Sequence, residues 1–328
     1  MSAKEVILSG MQPSGELHIG NLEGALRNWV RLQDQYEMYS CIVDWHALTG
    51  DYEHTELLKE RVFQLAVDYM AAGLDPEKVA IFIQSDVKEH AELHLLFSMI
   101  ITVPTLTRLP TYLEKKEDKG LDSYGFLGYP VLQAADICVY NADKVPVGKD
   151  QEKHIWLAAD LAKRFNTLYG PTLKEPQALF TKIPTIPGLD GRKMSKSLDN
   201  HIAITHTEEE TAARLKKMFT DPQKLRKGDP GRPEICPVYM LHQVYTPEAE
   251  EIIAPPCRSG ELGCVDCKKM VSKNLNEALR PIREKRVVLE NNKDYIWDVL
   301  RNGAQRARAR AQAVMEKVRA AMKMDYYG

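Results

Sequence analysis

Through its first two hundred residues the chain alternates short apolar runs with longer stretches of helical periodicity, and few folds accept that order. Val6–Ser9 reads as a strand that stops at Gly10, after which Ile19, Leu22, Leu26, Trp29, Val30 and Leu32 recur at the spacing of one helix face. Tyr39–Val43 and Val79–Gln84 read as further strands, separated by a helix from about Thr55 to Ala72. Parallel neighbours need a crossover helix, so this succession predicts an α/β fold with a Rossmann-type, doubly wound parallel sheet. Ile202–Ile204 reads as a last strand, and beyond Thr207 the periodicity is helical almost to the end. The expected organisation is a Rossmann domain over 1–206, with a helical insertion around 104–176, followed by a helical domain over 207–328. The polar stretch from Glu114 to Asp122 is expected to be a mobile surface segment.

A chain of 328 residues exceeds one typical core and suits two domains. With 44% hydrophobic and 27% charged residues, it has the mixture of an ordinary globular protein. No apolar run reaches the roughly 18 residues that a membrane helix needs. Met1–Gly10 lacks the build of a signal peptide, so a cytoplasmic location is expected. The net charge of −2 hides an asymmetry, because Lys268 to Lys323 carries +9 and the remainder −11. A basic end of this kind suits a polyanion, or is simply a solvated helical face. Cys41 and Cys138 stand alone in apolar surroundings, as buried small hydrophobes do. Cys236, Cys257, Cys264 and Cys267 instead cluster, which in a reducing compartment points to a metal before disulfides. Four thiolates fit either a tetrahedral zinc or a 4Fe–4S cluster.

Two segments have the chemistry of phosphate handling. Gly10-Met11-Gln12-Pro13-Ser14-Gly15 leads into Glu16-Leu17-His18-Ile19-Gly20-Asn21 at the start of the first helix. It is not a P-loop, yet its glycines admit a phosphate to the backbone, and a helix N-terminus offers unpaired N–H groups. His18 and Asn21, three apart, can present donors to one point. Farther on, Gly188-Leu189-Asp190-Gly191-Arg192-Lys193-Met194-Ser195-Lys196-Ser197 sets cations and hydroxyls between glycines. Such a loop can stabilise charge building on a leaving pyrophosphate. A third feature is Asp136, an acid inside the apolar run Val131 to Val139, where a carboxylate is rarely idle.

His18-Ile19-Gly20-Asn21 and Lys193-Met194-Ser195-Lys196-Ser197 resemble the HIGH and KMSKS signatures of the class I aminoacyl-tRNA synthetases. KMSKS is matched letter for letter; Asn21 replaces the second histidine of HIGH, which keeps a donor and loses a titratable group. The resemblance implies activation of an amino acid by ATP with Mg²⁺, in which Gln12, His18, Asn21, Lys193 and Lys196 act as donors to the phosphates. Pro13, Ser14, Gly20, Met194, Ser195 and Ser197 would complete the ATP contacts, with Gly148, Lys149 and Asp150 near the ribose. Within the tyrosine and tryptophan subclass, Gly10–Gly15, Asp44–Ala47, Tyr129–Asp136 and Val145–Gln151 are similar to the tryptophanyl members. That similarity implies L-tryptophan as substrate, its indole N–H given to Asp136, with Tyr129, Gln133, His46 and Gln151 lining the same pocket. Indole has one donor and no acceptor, so a pocket carboxylate suits it. The resemblance further implies transfer to tRNA(Trp) by a homodimer, with 207–328 as an anticodon-binding domain and Arg301, Arg306, Arg308 and Arg310 among its RNA contacts. Some bacterial members carry a 4Fe–4S cluster on a similar cysteine pattern, so a cluster is expected at Cys236, Cys257, Cys264 and Cys267, with Zn²⁺ the alternative. A tyrosyl enzyme, another adenylate-forming ligase and a non-catalytic RNA-binding relative are the competing readings.

Overall fold

The computed structural model describes residues 4–110, 112–113, 123–148, 152–180 and 186–327; the polar stretch 114–122 lies outside them. Five parallel strands form one sheet: β1 (Val6–Met11), β2 (Glu37–Ile42), β3 (Val79–Ile83), β4 (Lys144–Val147) and β5 (Gln177–Phe180). Their order is β3-β2-β1-β4-β5, the Rossmann arrangement, with the order reversing between β1 and β4. The first three strands stand where the apolar runs predict them. β4 and β5 do not emerge from periodicity, because each has four residues and Pro146 sits inside β4, a residue that argues against an interior strand. The segment 104–176 is therefore not a purely helical insertion; it supplies a strand of the sheet.

The principal helices are α1 (Asp44–Asp51), α2 (Leu58–Ala71), α3 (Glu89–Ile100), α4 (Tyr124–Cys138), α5 (Glu152–Tyr169), α6 (Glu208–Lys217), α7 (Pro237–Tyr245), α8 (Cys264–Glu290) and α9 (Lys293–Ala321). α6 begins where the sequence predicts: the Thr207 hydroxyl accepts the Glu210 N–H at 3.1 Å and the Glu210 carboxylate accepts the Thr207 N–H at 2.8 Å. A capping box of this kind is worth about 1 kcal/mol. No helix among the described residues is long and apolar enough to cross a membrane.

Ile202–Ile204 is not a strand of the sheet. It makes one isolated antiparallel bridge, His18 opposite Ala203, in which Ile19 N–H donates to Ile202 O and Ile204 N–H to Leu17 O, both at 2.9 Å. Three apolar residues predict extended backbone correctly but not its partner.

Two compact units interleave along the chain and do not follow a single cut near 206: residues 1–15, 28–181 and 292–328 form one, and 16–27 with 182–291 form the other. α9 belongs with the sheet because Ala307, Ala311, Val314, Met315 and Val318 join the core cluster that contains Phe82, Phe97 and Ile137. Burial of Val314, Met315 and Val318 contributes ~2 kcal/mol each. Gly303 permits the approach: a Cβ there would meet Ile81 O at 1.9 Å. The arginines expected to face RNA complete the docking. Arg306 donates to Pro76 O at 2.8 Å, Arg308 pairs with Glu89, Arg310 donates to Tyr140 O at 2.7 Å and Arg319 pairs with Glu92. Arg301 pairs with Asp298 on its own helix. Arg306, Arg308, Arg310 and Arg319 thus bond within the unit and fasten α9 to it.

Candidate active site

In the sheet-containing unit, Asp136 near the end of α4 is 3% exposed and lies in a cage of donors. His46 Nε2, from α1, is 2.9 Å from Oδ2, and His90 Nδ1, from α3, is 2.6 Å from Oδ1. The Gln84 carboxamide, just past β3, donates to both oxygens at 2.8 Å. Burial alone would raise the carboxyl's pKa, but the charge of His90 and the hydrogen bonds from His46 and His90 outweigh it and hold the group well below the usual carboxylate range. Asp136 is an anion in an apolar core. Gln133 is half-buried one helical turn before it, and the Tyr129 ring meets His46 edge-on, 6.4 Å between centroids. Gln151, Lys149 and Asp150 lie outside the described residues. Gln84 and His90 were missed, since no local pattern shows that a strand end and a helix start will meet a residue 52 or 46 positions away.

Gln12, Pro13 and Ser14 follow β1, and Gly148 follows β4, at the carboxyl edge of the two strands where the order reverses. That crevice is where open α/β sheets receive ligands. Gln12 and Ser14 are exposed and Pro13 is buried. Ser14 N–H donates to Gln12 O at 2.8 Å, and Gly15 takes φ +99°, a turn that favours glycine.

In the second unit the two signatures come together. His18 Nδ1 accepts the Asn21 N–H and Asn21 Oδ1 accepts the His18 N–H, each at 3.2 Å. This reciprocal cap consumes the acceptor atoms and leaves the imidazole Nε2–H and the carboxamide NH₂ as donors. Burial, then Lys196, His201 and Lys193, lower the His18 pKa to about 4, so the ring is neutral at pH 7 and its proton resides on Nε2. Gly20 lets that ring fold over the backbone, because a Cβ would stand 2.9 Å from His18 Nδ1. The same position faces Met194 Cβ at 3.6 Å.

Lys193 is exposed, Met194 buried, Ser195 and Lys196 half-buried, and Ser197 exposed. Their loop hangs on Asn200, which is 3% exposed and which the sequence did not single out. Asn200 Oδ1 accepts Ser195 N–H at 2.7 Å, while Nδ2 donates to Asp190 Oδ1 at 2.8 Å and Lys193 O at 3.1 Å. Gly188 is obligatory beside it, since a Cβ there would lie 2.4 Å from Asn200 Nδ2.

Cys236, Cys257, Cys264 and Cys267 line one small cavity of this unit. Burial and the neighbouring cysteines push the Cys267 thiol up to about 12. Lys224 is 7% exposed at the same cavity, its ammonium donating to Cys257 O at 3.2 Å and Asp229 O at 2.6 Å. A Cβ on Gly231 would stand 2.7 Å from Cys257 Sγ. Among the described residues no three His, Cys, Asp or Glu side chains are grouped to hold a metal ion. Cys264 also walls a groove of about 660 Å³ between α6 and α8, along which Lys216, Lys268, Lys269, Lys273 and Arg280 are set. Glu208, the one acid lining it, is paired with Arg280 at 2.7 Å.

Residues 2–280 match the family model of class I tRNA synthetases (W and Y). A tryptophan–tRNA ligase of Thermotoga maritima is 48% identical over 326 residues, covering 98% of this chain and 99% of the relative. One from Aquifex aeolicus is 43% identical, covering 97% and 99%. Among solved structures, tryptophanyl-tRNA synthetase of Campylobacter jejuni complexed with ADP and tryptophan is similar with a TM-score of 0.87 and 33% identity, covering 97% and 99%.

Proposed function

The chain belongs to the class I tRNA synthetases that serve tryptophan and tyrosine, and from that premise we propose that it is a tryptophan–tRNA ligase. It activates L-tryptophan with ATP, supplied as its Mg²⁺ complex, and esterifies tRNA(Trp). The tryptophan carboxylate attacks the α-phosphorus; the new C–O–P bond forms as the bond to pyrophosphate breaks. The observation that carries the choice of amino acid is Asp136, a buried anion lined up by three donors and suited to one N–H. Tyr129, His46, Gln133 and Gln151 are assigned to the same pocket. Gln12, His18, Asn21, Lys193 and Lys196 are assigned to the phosphates as donors. Pro13, Ser14, Gly20, Gly148, Lys149, Asp150, Met194, Ser195 and Ser197 are assigned to the rest of ATP. A neutral His18 beside two lysines supports this, because it can give a hydrogen bond to an anion without adding a charge to desolvate.

For the RNA step, the helical region between 207 and 291 is the better part of the expected anticodon-binding domain. The α6–α8 groove supports that reading because four lysines and Arg280 line it against one acid, Glu208, while Lys269 and Lys273 also meet Asp266 and Glu277 on their own helix; α9 is removed from it by its packing. A homodimer is proposed on the exposed apolar side chains Leu95, Met99 and Val103, which a partner would cover. A cytoplasmic location goes with the role. The test is aminoacylation with each of the twenty amino acids: only tryptophan is expected to appear on tRNA, and tyrosine there would assign the other branch. Changing Lys268, Lys269 and Lys273 together to Ala is expected to raise the KM for tRNA and flatten its salt dependence, since each lost phosphate contact releases fewer counterions. Unchanged KM at every salt concentration would return the groove to ordinary surface.

For the four cysteines, which line one cavity, a 4Fe–4S cluster is the proposed occupant, with a tetrahedral zinc the alternative. A cluster ligated by four thiolates is anionic, and buried Lys224 supplies a compensating charge. The cluster would pin the chain between Cys236 and Cys267. Anaerobically purified protein is expected to be brown, with iron and acid-labile sulfide near a four-to-four ratio. Colourless protein with one zinc and no sulfide would replace the cluster by a structural zinc.

A further inference from the structure

Beyond its cage, Asp136 is joined by a continuous chain of hydrogen bonds to the C-terminal helix. An ionised Asp136 makes His90 Nδ1 the donor to it, and His90 Nε2 is hydrogen-bonded to the Tyr140 hydroxyl, 2.8 Å away. His90 and Tyr140 are both 0% exposed. Tyr140 stacks on Tyr39 with 4.8 Å between ring centroids. Arg310 of α9 then closes the arrangement. Its Nε donates to Tyr140 O at 2.7 Å, its guanidinium lies 6.0 Å from the Tyr39 ring centroid, and it reaches both Glu37 oxygens at 3.3 Å. Glu37 also accepts the Tyr39 hydroxyl at 2.7 Å. Every link lies in one compact unit, although the participants come from β2, α3, the end of α4 and α9.

The geometry points to His90, Tyr140 and Arg310 as positioning residues for the amino-acid pocket: they orient the Asp136 carboxylate for the substrate N–H, and α9 thereby takes part in substrate selection. The inference rests on the reading of Asp136 as the acceptor of the indole N–H. Its physical basis is the number of lone-pair sites. A carboxylate has about four, and His46, His90 and Gln84 already address both oxygens. Gln84 straddles both oxygens while each imidazole holds one, so a substrate N–H must share or displace one of these bonds at a set angle, and a carboxylate able to rotate offers that angle less often. His90 blocks rotation because its second nitrogen is itself tied to Tyr140. Tyr140 is held in turn by Tyr39 and by the Arg310 bond to its backbone. α9 is thus joined to the pocket by bonds and not by packing alone.

Tyr140→Phe keeps the ring and its stacking and removes only the O–H. Pyrophosphate exchange is measured with tryptophan and with an analogue in which sulfur replaces the indole N–H. The variant is expected to raise the KM for tryptophan by about tenfold, the effect of one buried hydrogen bond, with kcat and the analogue's KM within about twofold. Arg310→Gln, at the half-exposed end of the chain, is expected to move the same ratio in the same direction by about threefold. Equal losses for tryptophan and the analogue would overturn the inference by making the role merely structural, and so would no loss in either variant. Asp136→Asn separates the two levels. If it leaves the tryptophan-to-analogue ratio intact, the reading of Asp136 itself fails. If it collapses the ratio while Tyr140→Phe and Arg310→Gln do not, only the positioning chain fails.

Discussion

Tryptophan is expected to exceed tyrosine in pyrophosphate exchange by ~10⁴-fold or more in kcat/KM, the discrimination available to a site built around a specific hydrogen bond. The expectation comes from the state of Asp136. A buried carboxylate held ionised by His90 and His46 receives a donor only at a fixed place, and an apolar edge put there would displace part of its donor cage without returning a hydrogen bond. Phenylalanine should be rejected for that reason. Tyrosine should be rejected because its hydroxyl extends from a smaller ring along a different line. Asp136→Ala should lose most of the discrimination, and it should also weaken the fold locally, since Gln84, His46 and His90 would each lose an acceptor. Steady-state exchange with the three amino acids measures this. Comparable exchange with tyrosine would move the chain to the tyrosine branch of its family.

Lys196→Ala is expected to lower the turnover of tryptophan activation by ~10²-fold or more while leaving tryptophan affinity within about twofold. Lys196 belongs to the short turn Lys196–Leu198, and its positive charge is already felt at His18, whose imidazole it helps to keep neutral. The same field acts on pyrophosphate, which gains charge as its bond to the α-phosphorus breaks. Asp136, Tyr129, Gln133 and His46, the residues assigned to tryptophan, lie in the other compact unit, so its affinity should not change. An independent readout is the His18 titration. Removing a nearby cation eases protonation, so the His18 pKa should rise from about 4, though not to its ordinary value, because burial is the larger cause. Loss of tryptophan binding with turnover preserved would remove Lys196 from the phosphate site.

The first three strands and the helical start at Thr207 were legible because each depends on neighbours in sequence: an apolar run of four to six residues, or the onset of a helical period. β4 and β5 were not, since four residues with a proline among them carry no period. The residues of the two signatures were legible for the same reason as the first strands. His18 and Asn21 share one turn, and Lys193 to Ser197 are consecutive. Asn200 was invisible, as nothing local marks a carboxamide that bonds Ser195, Asp190 and Lys193 together.

By itself the sequence determined the β-helix-β order, the two signature segments, an acid where only apolar residues belong and four clustered cysteines. Each of these is a matter of residue type and short spacing. Tertiary structure alone decided what the acid touches, what the basic end is for and where the units divide. Asp136 meets residues 46 to 90 positions away, and Arg306, Arg308 and Arg310 bond to carbonyls and an acid more than 150 positions distant. Charge counted along a chain cannot show which cations are already paired. Packing decides that, by setting Gly303 against Ile81 and bringing α9 onto the sheet.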